Sequence, residues 1–183
     1  MIANMGLRNG SMTLQGFYKD GQFMFYEAGY RLGGSQAYGL TEYENGANVL
    51  HYMINYALTG KMSDQDLSKI ENACFPYPAC NYYVELKAGV IDYIDGIEEV
   101  KNMPEVLNVT QLCFPGDEIF DTNENGRAIY RLHVVSKSAE GLAHALVQIS
   151  DTLRIMSTKG EEMQIEHLQY ERCLSAINES ILI

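Results

Sequence analysis

The chain has 183 residues, four cysteines and a formal net charge of -11, and 46% of its residues are hydrophobic. That is enough to build a core for one domain or two small ones. The acidity argues against a nucleic-acid partner, which needs clustered Lys and Arg. No apolar run is long enough to span a bilayer, and Met1 to Gly6 carries neither the basic nor the long apolar segment of a secretory signal. A cytoplasmic protein with no membrane partner is expected.

In chain order, Asn4 to Gly10 reads as the close of a helix. Met12 to Tyr18 reads as a strand, Lys19-Asp20-Gly21 as a tight turn, and Gln22 to Arg31 as the returning strand. The turn length sets the chemistry. A two-residue Asp-Gly turn pairs Tyr18 with Phe23 and Gln15 with Tyr26, which puts Gln15 and Glu27 on opposite faces. A three-residue turn with Gly21 left-handed shifts the register by one. Thr13, Gln15, Phe17, Phe25, Glu27, Gly29 and Arg31 then share a face, and Met12, Leu14, Tyr26, Ala28 and Tyr30 form a packing face. The second register is favoured, because it gathers the polar groups. Alternation along the strand places Glu27, Gly29 and Arg31 together. A carboxylate and a guanidinium then flank a residue with no side chain, above the loop Gly33-Gly34-Ser35. Such a surface suits a metal–phosphate group.

Asn45-Gly46 opens the next element. Val49, Leu50, Met53, Ile54, Ala57 and Leu58 recur at helical spacing, and Thr59-Gly60 closes it. Ser63 with Asp66 resembles a capping box for a short helix through Ile70. Cys74 to Cys80 holds two prolines and reads as a connector. Strands are expected over Asn81–Ala88, Gly89–Ile94, Val106–Phe114 and Arg127–Val135, the last with alternating burial. A short helix covers Gly96–Met103, a turn falls at Pro115-Gly116-Asp117, and 121–126 forms an exposed polar loop. Ser138 caps a helix with the apolar face Leu142, Ala145, Leu146, Ile149 and Leu153. Arg154–Met156 is a last short strand, and Met163–Ser180 a polar helix.

Cys74, Cys80, Cys113 and Cys173 form no C-x-x-C pair and read as reduced, partly buried thiols. The four histidines are scattered and read as structural. Arg131 sits between apolar neighbours, where a surface ion pair is expected. The 13 tyrosines read as core and interface residues.

Several of these segments resemble the C-terminal part of an ATP-grasp ligase, of the kind related to the large subunit of carbamoyl-phosphate synthase and to biotin carboxylase. Gly6-Leu-Arg-Asn-Gly10 resembles the helix-to-strand junction before the metal-binding strands. The hairpin ending Glu27-x-Gly-x-Arg31-x-Gly-Gly34 resembles the family's Glu-x-Asn-x-Arg segment. Glu44 to Gly60 resembles the following helix, and Gly89 to Met163 the small closing domain.

The resemblance implies an α+β chain. Residues 1–72 would be the C-terminal part of an ATP-grasp domain, and 73–183 a small α+β domain. It implies ATP and Mg2+ as cofactors, with a carboxylate phosphorylated and the acyl-phosphate then attacked by an amine or similar nucleophile. Glu27 matches a metal carboxylate and Arg31 the phosphate-facing, catalytic arginine. Gln15 falls where the first metal carboxylate is expected, and Gly29 where an asparagine is expected; both are departures. Gly33, Gly34 and Ser35 are the candidate nucleotide contacts. The nucleotide-clamping half of such an enzyme would lie before residue 1. The expected partners are therefore that half, or a partner subunit carrying it, and a small-molecule carboxylate. Without it, the chain is expected to be inactive and to self-associate through the apolar side of its hairpin. The competing expectation is a non-catalytic interaction or scaffold domain that retains the fold.

Overall fold

The computed structural model describes residues 2–70, 75–121 and 127–181. It falls into two units, Met1–Phe75 and Pro76–Ile183, of mixed helix and antiparallel sheet.

In the first unit, β1 (Thr13–Lys19) and β2 (Gln22–Gly29) form a two-stranded antiparallel sheet. The turn between them has two residues, with Lys19 paired to Gln22, and Asp20 (φ 52°) and Gly21 (φ 77°) both left-handed. This is the mirror-image turn that matches strand twist, and Asp-Gly is among its preferred sequences. The expected three-residue turn is therefore wrong. Even so, Gln15 and Glu27 are direct partners. The register slips between Gln15 and Gly16: Gly16 pairs with Phe25, and Gln15 pairs with Glu27. Tyr26 is the extra residue of a β-bulge.

Gly16 is where the bulge closes. A Cβ built there would lie 2.8 Å from the Met24 carbonyl oxygen and 3.1 Å from the Phe25 ring. Only glycine lets the partner backbone come so near. The bulge also corrects two assignments. Tyr26 joins the Gln15 face, where its ring meets Phe17 at 5.1 Å. Phe25 leaves that face and stacks on Phe23, which in turn meets Tyr18 at 4.7 Å.

The segment from Asn4 to Gly10 holds no α-helix; a single 3-10 turn covers Ile2–Met5. An unexpected helix, α1 (Tyr38–Asn45), ends at left-handed Gly46. Asn45 and Gly46 thus close one helix rather than open the next. The next, α2 (Val49–Thr59), is capped by Asn48, whose side chain accepts from the backbone N–H groups of Leu50 and His51. The Asn48 amide also donates to Glu42, and Thr41 Oγ1 donates to the Ala47 carbonyl, fixing the α1–α2 junction. The periodic apolar stripe of α2 does form a helix, but none of its residues is buried. Between Ser63 and Ile70 there is one 3-10 turn, Leu67–Lys69, and Ser63 accepts from Gln65 N–H in a local turn. The Cys74 end of the expected connector lies outside the described residues.

The second unit builds two three-stranded sheets. One has the order β3 (Ala79–Glu85), β7 (Ala128–Val135), β5 (Val106–Gln111); the other β6 (Glu118–Ile119), β4 (Gly89–Asp95), β8 (Arg154–Ser157). Helix α3 (Ile97–Lys101) follows β4, and α4 (Ala139–Thr152) follows β7. As predicted, Ser138 caps α4, accepting from Gly141 N–H. Its apolar face of Leu142, Ala145, Leu146 and Ile149, with Leu153 beyond it, is buried in the core with Val84, Leu86, Leu132 and Ile155.

Strand β7 does not alternate. All eight residues are buried, as suits a central strand flanked on both edges. Arg131 is consequently buried rather than at the surface, with its guanidinium donating to Thr110 Oγ1 at 3.4 Å. The expected polar loop at 122–126 lies outside the described residues. The last helix, α5, spans Tyr170–Ile181 rather than starting at Met163. Met163 is drawn into the sheet, donating to the Ile155 carbonyl and accepting from Lys87 N–H. The buried Gln164 amide donates to the Ser150 and Leu153 carbonyls, satisfying the end of α4.

Candidate functional site

The bulge assembles one face of the hairpin. Directly paired residues project to the same side, with Cβ atoms about 4.5–5.5 Å apart. Gln15 and Glu27 therefore stand side by side, as do Thr13 and Gly29 beyond them. Tyr26 joins them, and its hydroxyl donates to Gln15 Oε1 at 3.1 Å. Glu27 is exposed, and among the described residues its carboxylate has no hydrogen bond or ion pair.

Arg31 lies just past β2, where its backbone N–H bonds the Gly29 carbonyl at 3.0 Å. Its side chain folds back over Gly29. A Cβ on Gly29 would sit 3.6 Å from Arg31 Cγ and Nε. Arg31 thus covers Gly29 at ordinary contact distance, so the space above this residue is taken by the arginine rather than left for a ligand. Arg31 Nη1 donates to the Leu32 carbonyl at 3.1 Å, leaving most of the guanidinium's five N–H groups outward. No ion pair joins Arg31 to Glu27 among the described residues. The two opposite charges share a face, each open to a ligand.

Sequence reasoning did not assign Thr13 a role. Its hydroxyl donates to the Arg31 carbonyl at 3.2 Å, tying the start of β1 to the segment that carries the arginine. The same oxygen lies 3.8 Å from where a Gly33 Cβ would be, and Ser35 Oγ lies 3.7 Å from that point. Gly33 and Ser35 are thereby brought beside Thr13, and Gln36 N–H closes the turn on the Gly33 carbonyl at 3.3 Å. A Cβ built on Gly34 would meet nothing within 4 Å. The signal for Thr13 was available, since it precedes Gln15 by two on the same strand.

This face does not suit a bare metal ion. Among the described residues no group of three or more His, Cys, Asp or Glu is placed to hold one. It offers one charged oxygen donor, Glu27, and an amide oxygen already bonded to Tyr26. A magnesium ion that arrives on phosphates does fit, because such ions commonly take one or two carboxylates and draw their other ligands from phosphate and water. Arg31 is placed for the phosphate oxygens.

Elsewhere, among the described residues, no helix is long and apolar enough to cross a membrane. His133 is buried on β7, and His144 stacks against Tyr170 at 4.3 Å. Cys80, Cys113 and Cys173 are free thiols.

No family model and no curated protein matches the sequence. Solved structures do match the fold. The L-amino acid ligase of Bacillus licheniformis superposes with a TM-score of 0.69 at 24% identity, over 86% of this chain and 40% of that one. Phosphoribosylglycinamide synthetase of Anaerococcus prevotii gives 0.65 at 17%, over 86% and 39%. The biotin carboxylase-beta-gamma-ATP complex from Campylobacter jejuni gives 0.57 at 15%, over 94% and 36%. The chain thus spans about two fifths of the length of the structures it matches. These are ATP-grasp ligases, and the resemblance read from the hairpin holds at the level of fold.

Proposed function

We propose that this chain, with its ATP-grasp fold, supplies the metal–phosphate wall of an ATP-dependent ligase that joins a carboxylate to an amine or similar nucleophile. The observation that carries the proposal is the bulged hairpin face, where Glu27 and Arg31 stand together beside Gln15. The first unit would be the C-terminal part of the catalytic domain and the second a closing domain.

In this reading Glu27 holds the magnesium that comes in on the nucleotide. Bound there, the ion would supply charge neutralisation on the phosphate oxygens during phosphoryl transfer. Arg31 donates to the same oxygens, as a fixed cation aimed at developing negative charge. Thr13 holds the Arg31 backbone in place, and the Arg31 side chain lies over Gly29. Each neighbour of this fold is longer by more than twofold, so we assign the adenine pocket and the selection of the carboxylate to a further part or subunit. Without that part, few contacts remain to offset the entropy of binding.

Titration of the chain with MgATP, followed by NMR, tests this reading. Weak, saturable shifts at Glu27, Arg31 and Thr13 are expected, with a dissociation constant of about 1 mM or weaker. Arg31→Ala should weaken it about tenfold, the loss of a charged hydrogen-bonding partner. Shifts confined to the second unit, or none, would refute it.

A second reading, a non-catalytic interaction domain, draws on one observation: Gln15 and Gly29 stand where the resemblance implies metal ligands, and Tyr26 already occupies the Gln15 oxygen. A folded chain in which MgATP shifts neither Glu27 nor Arg31 would favour it.

A further inference from the structure

We infer that Gln15 acts as a hydrogen-bond donor to a phosphoryl oxygen, not as a metal ligand, and that Tyr26 sets it in that role. The inference rests on the proposed metal–phosphate reading and refines what each residue of that face does.

The bulge at Gly16 turns Tyr26 onto the face that regular alternation would deny it. There the Tyr26 hydroxyl donates to Gln15 Oε1 at 3.1 Å. An amide has one oxygen and one NH2 group, so fixing the oxygen fixes where the NH2 points. With one lone pair of Oε1 taken by Tyr26, the two unbonded N–H groups of Gln15 outnumber the one lone pair it could still offer a cation. Among the described residues nothing accepts from them. Gln15 is exposed beside Glu27, and Arg31 folds over Gly29 on the same face.

The face therefore presents two kinds of donor, the Gln15 amide and the Arg31 guanidinium, around a single carboxylate. A divalent ion needs oxygen ligands, and an N–H group repels it. A phosphoryl group accepts hydrogen bonds from both donors. The matching ligand is an oxyanion group with its own cation, such as the magnesium–polyphosphate end of a nucleotide. Glu27 takes the cation, and Gln15 and Arg31 take the oxygens. The cation should then bind with the phosphate rather than before it.

The experiment is NMR of the uniformly 15N-labelled chain, observing the Gln15 side-chain NH2 and the Arg31 Nε–H. The probes are Mn2+ alone, inorganic pyrophosphate alone, and pyrophosphate with Mg2+. Magnesium pyrophosphate should shift Gln15 NH2 and Arg31 Nε–H along one binding curve. Mn2+ alone should leave the Gln15 NH2 sharp. Tyr26→Phe should reduce the Gln15 shift several-fold while Arg31 still responds. Gln15→Glu should raise Mn2+ affinity about tenfold, the effect of one added charged ligand, and weaken pyrophosphate binding. If Arg31 and Glu27 respond to magnesium pyrophosphate but the Gln15 NH2 does not, this inference falls and the proposed function stands. A Mn2+ affinity that Gln15→Ala lowers as much as Glu27→Gln does would also overturn it. Silence at all three residues would overturn the proposed function, and this inference with it.

Discussion

The two units of this chain distribute their apolar residues in opposite ways. In the second unit, β7 is buried along its whole length and packs with α4 into a core containing Leu132, Leu142, Ile149 and Ile155. In the first unit, the buried residues among those described are Leu40, Ala47 and Asn48. Phe17, Phe23 and Phe25 of its hairpin are each more than half exposed, and Leu58 of α2 is 78% exposed. The candidate site lies in this lightly buried unit. Local devices hold it there: an Asp-Gly turn, a bulge, a Thr13 hydroxyl and an Asn48 cap. A two-stranded sheet is marginal by itself in water. The contrast separates a region held by packing from one held by turn and cap chemistry.

That contrast should be sharpest in core truncations. Leu132→Ala leaves a cavity in a fully buried strand and should cost about 2–5 kcal/mol. Leu58→Ala on α2 should change stability by no more than about 0.5 kcal/mol. Urea melts of the two variants decide it, and equal losses would break the comparison.

A smaller effect is expected at alkaline pH, again in the second unit. Burial, with Cys173 nearby as a lesser cause, pushes the Cys80 thiol from an ordinary value near 9 to about 11. The fold thus favours the neutral thiol. Its contribution is complete below pH 9 and is lost as pH rises toward 11, amounting to at most about 2–3 kcal/mol. Burial pushes the Tyr82 hydroxyl to about 12, which adds a loss of the same sign at higher pH. Stability measured from pH 8 to 11 should fall, and Cys80→Ala should flatten the part between 9 and 11.

The smallest change falls in the hairpin and is read in register. Gly16→Ala places a Cβ 2.8 Å from the Met24 carbonyl. The bulge must open, at about 1–2 kcal/mol. The cross-strand Hα–Hα NOE between Gln15 and Glu27 should weaken or vanish, and an Hα–Hα NOE between Gln15 and Tyr26 should replace it. An unchanged Gln15–Glu27 NOE would show that the pairing does not need Gly16.

These residues also show what the sequence made legible. The capped helix after Ser138 and its apolar face were readable because a long amphipathic repeat and a cap agree. The hairpin was readable from Asp20-Gly21, but its register was not. Asp-Gly already pointed to the two-residue turn, and gathering the polar residues pointed to the other register. Both are satisfied because Gly16, an isolated glycine within a strand, marks a bulge. That signal was present and went unused, so Tyr26 was placed on the wrong face. Helix α1 was missed because Gly39 and Thr41 are weak helix formers and Ala37 provides no side-chain cap. The start of α5 was set too early because Met163 and Gln164 make long-range bonds that no local pattern encodes. Arg131 was misplaced for a similar reason: being central in a sheet is a property of the topology.

The most direct test of the site is paramagnetic broadening by MnATP across the whole 15N-labelled chain. Broadening is expected to centre on Thr13, Gln15, Glu27, Gly29 and Arg31, and to disappear in Glu27→Gln. Broadening centred elsewhere, or unchanged in Glu27→Gln, would contradict the assignment of this hairpin face to metal and phosphate.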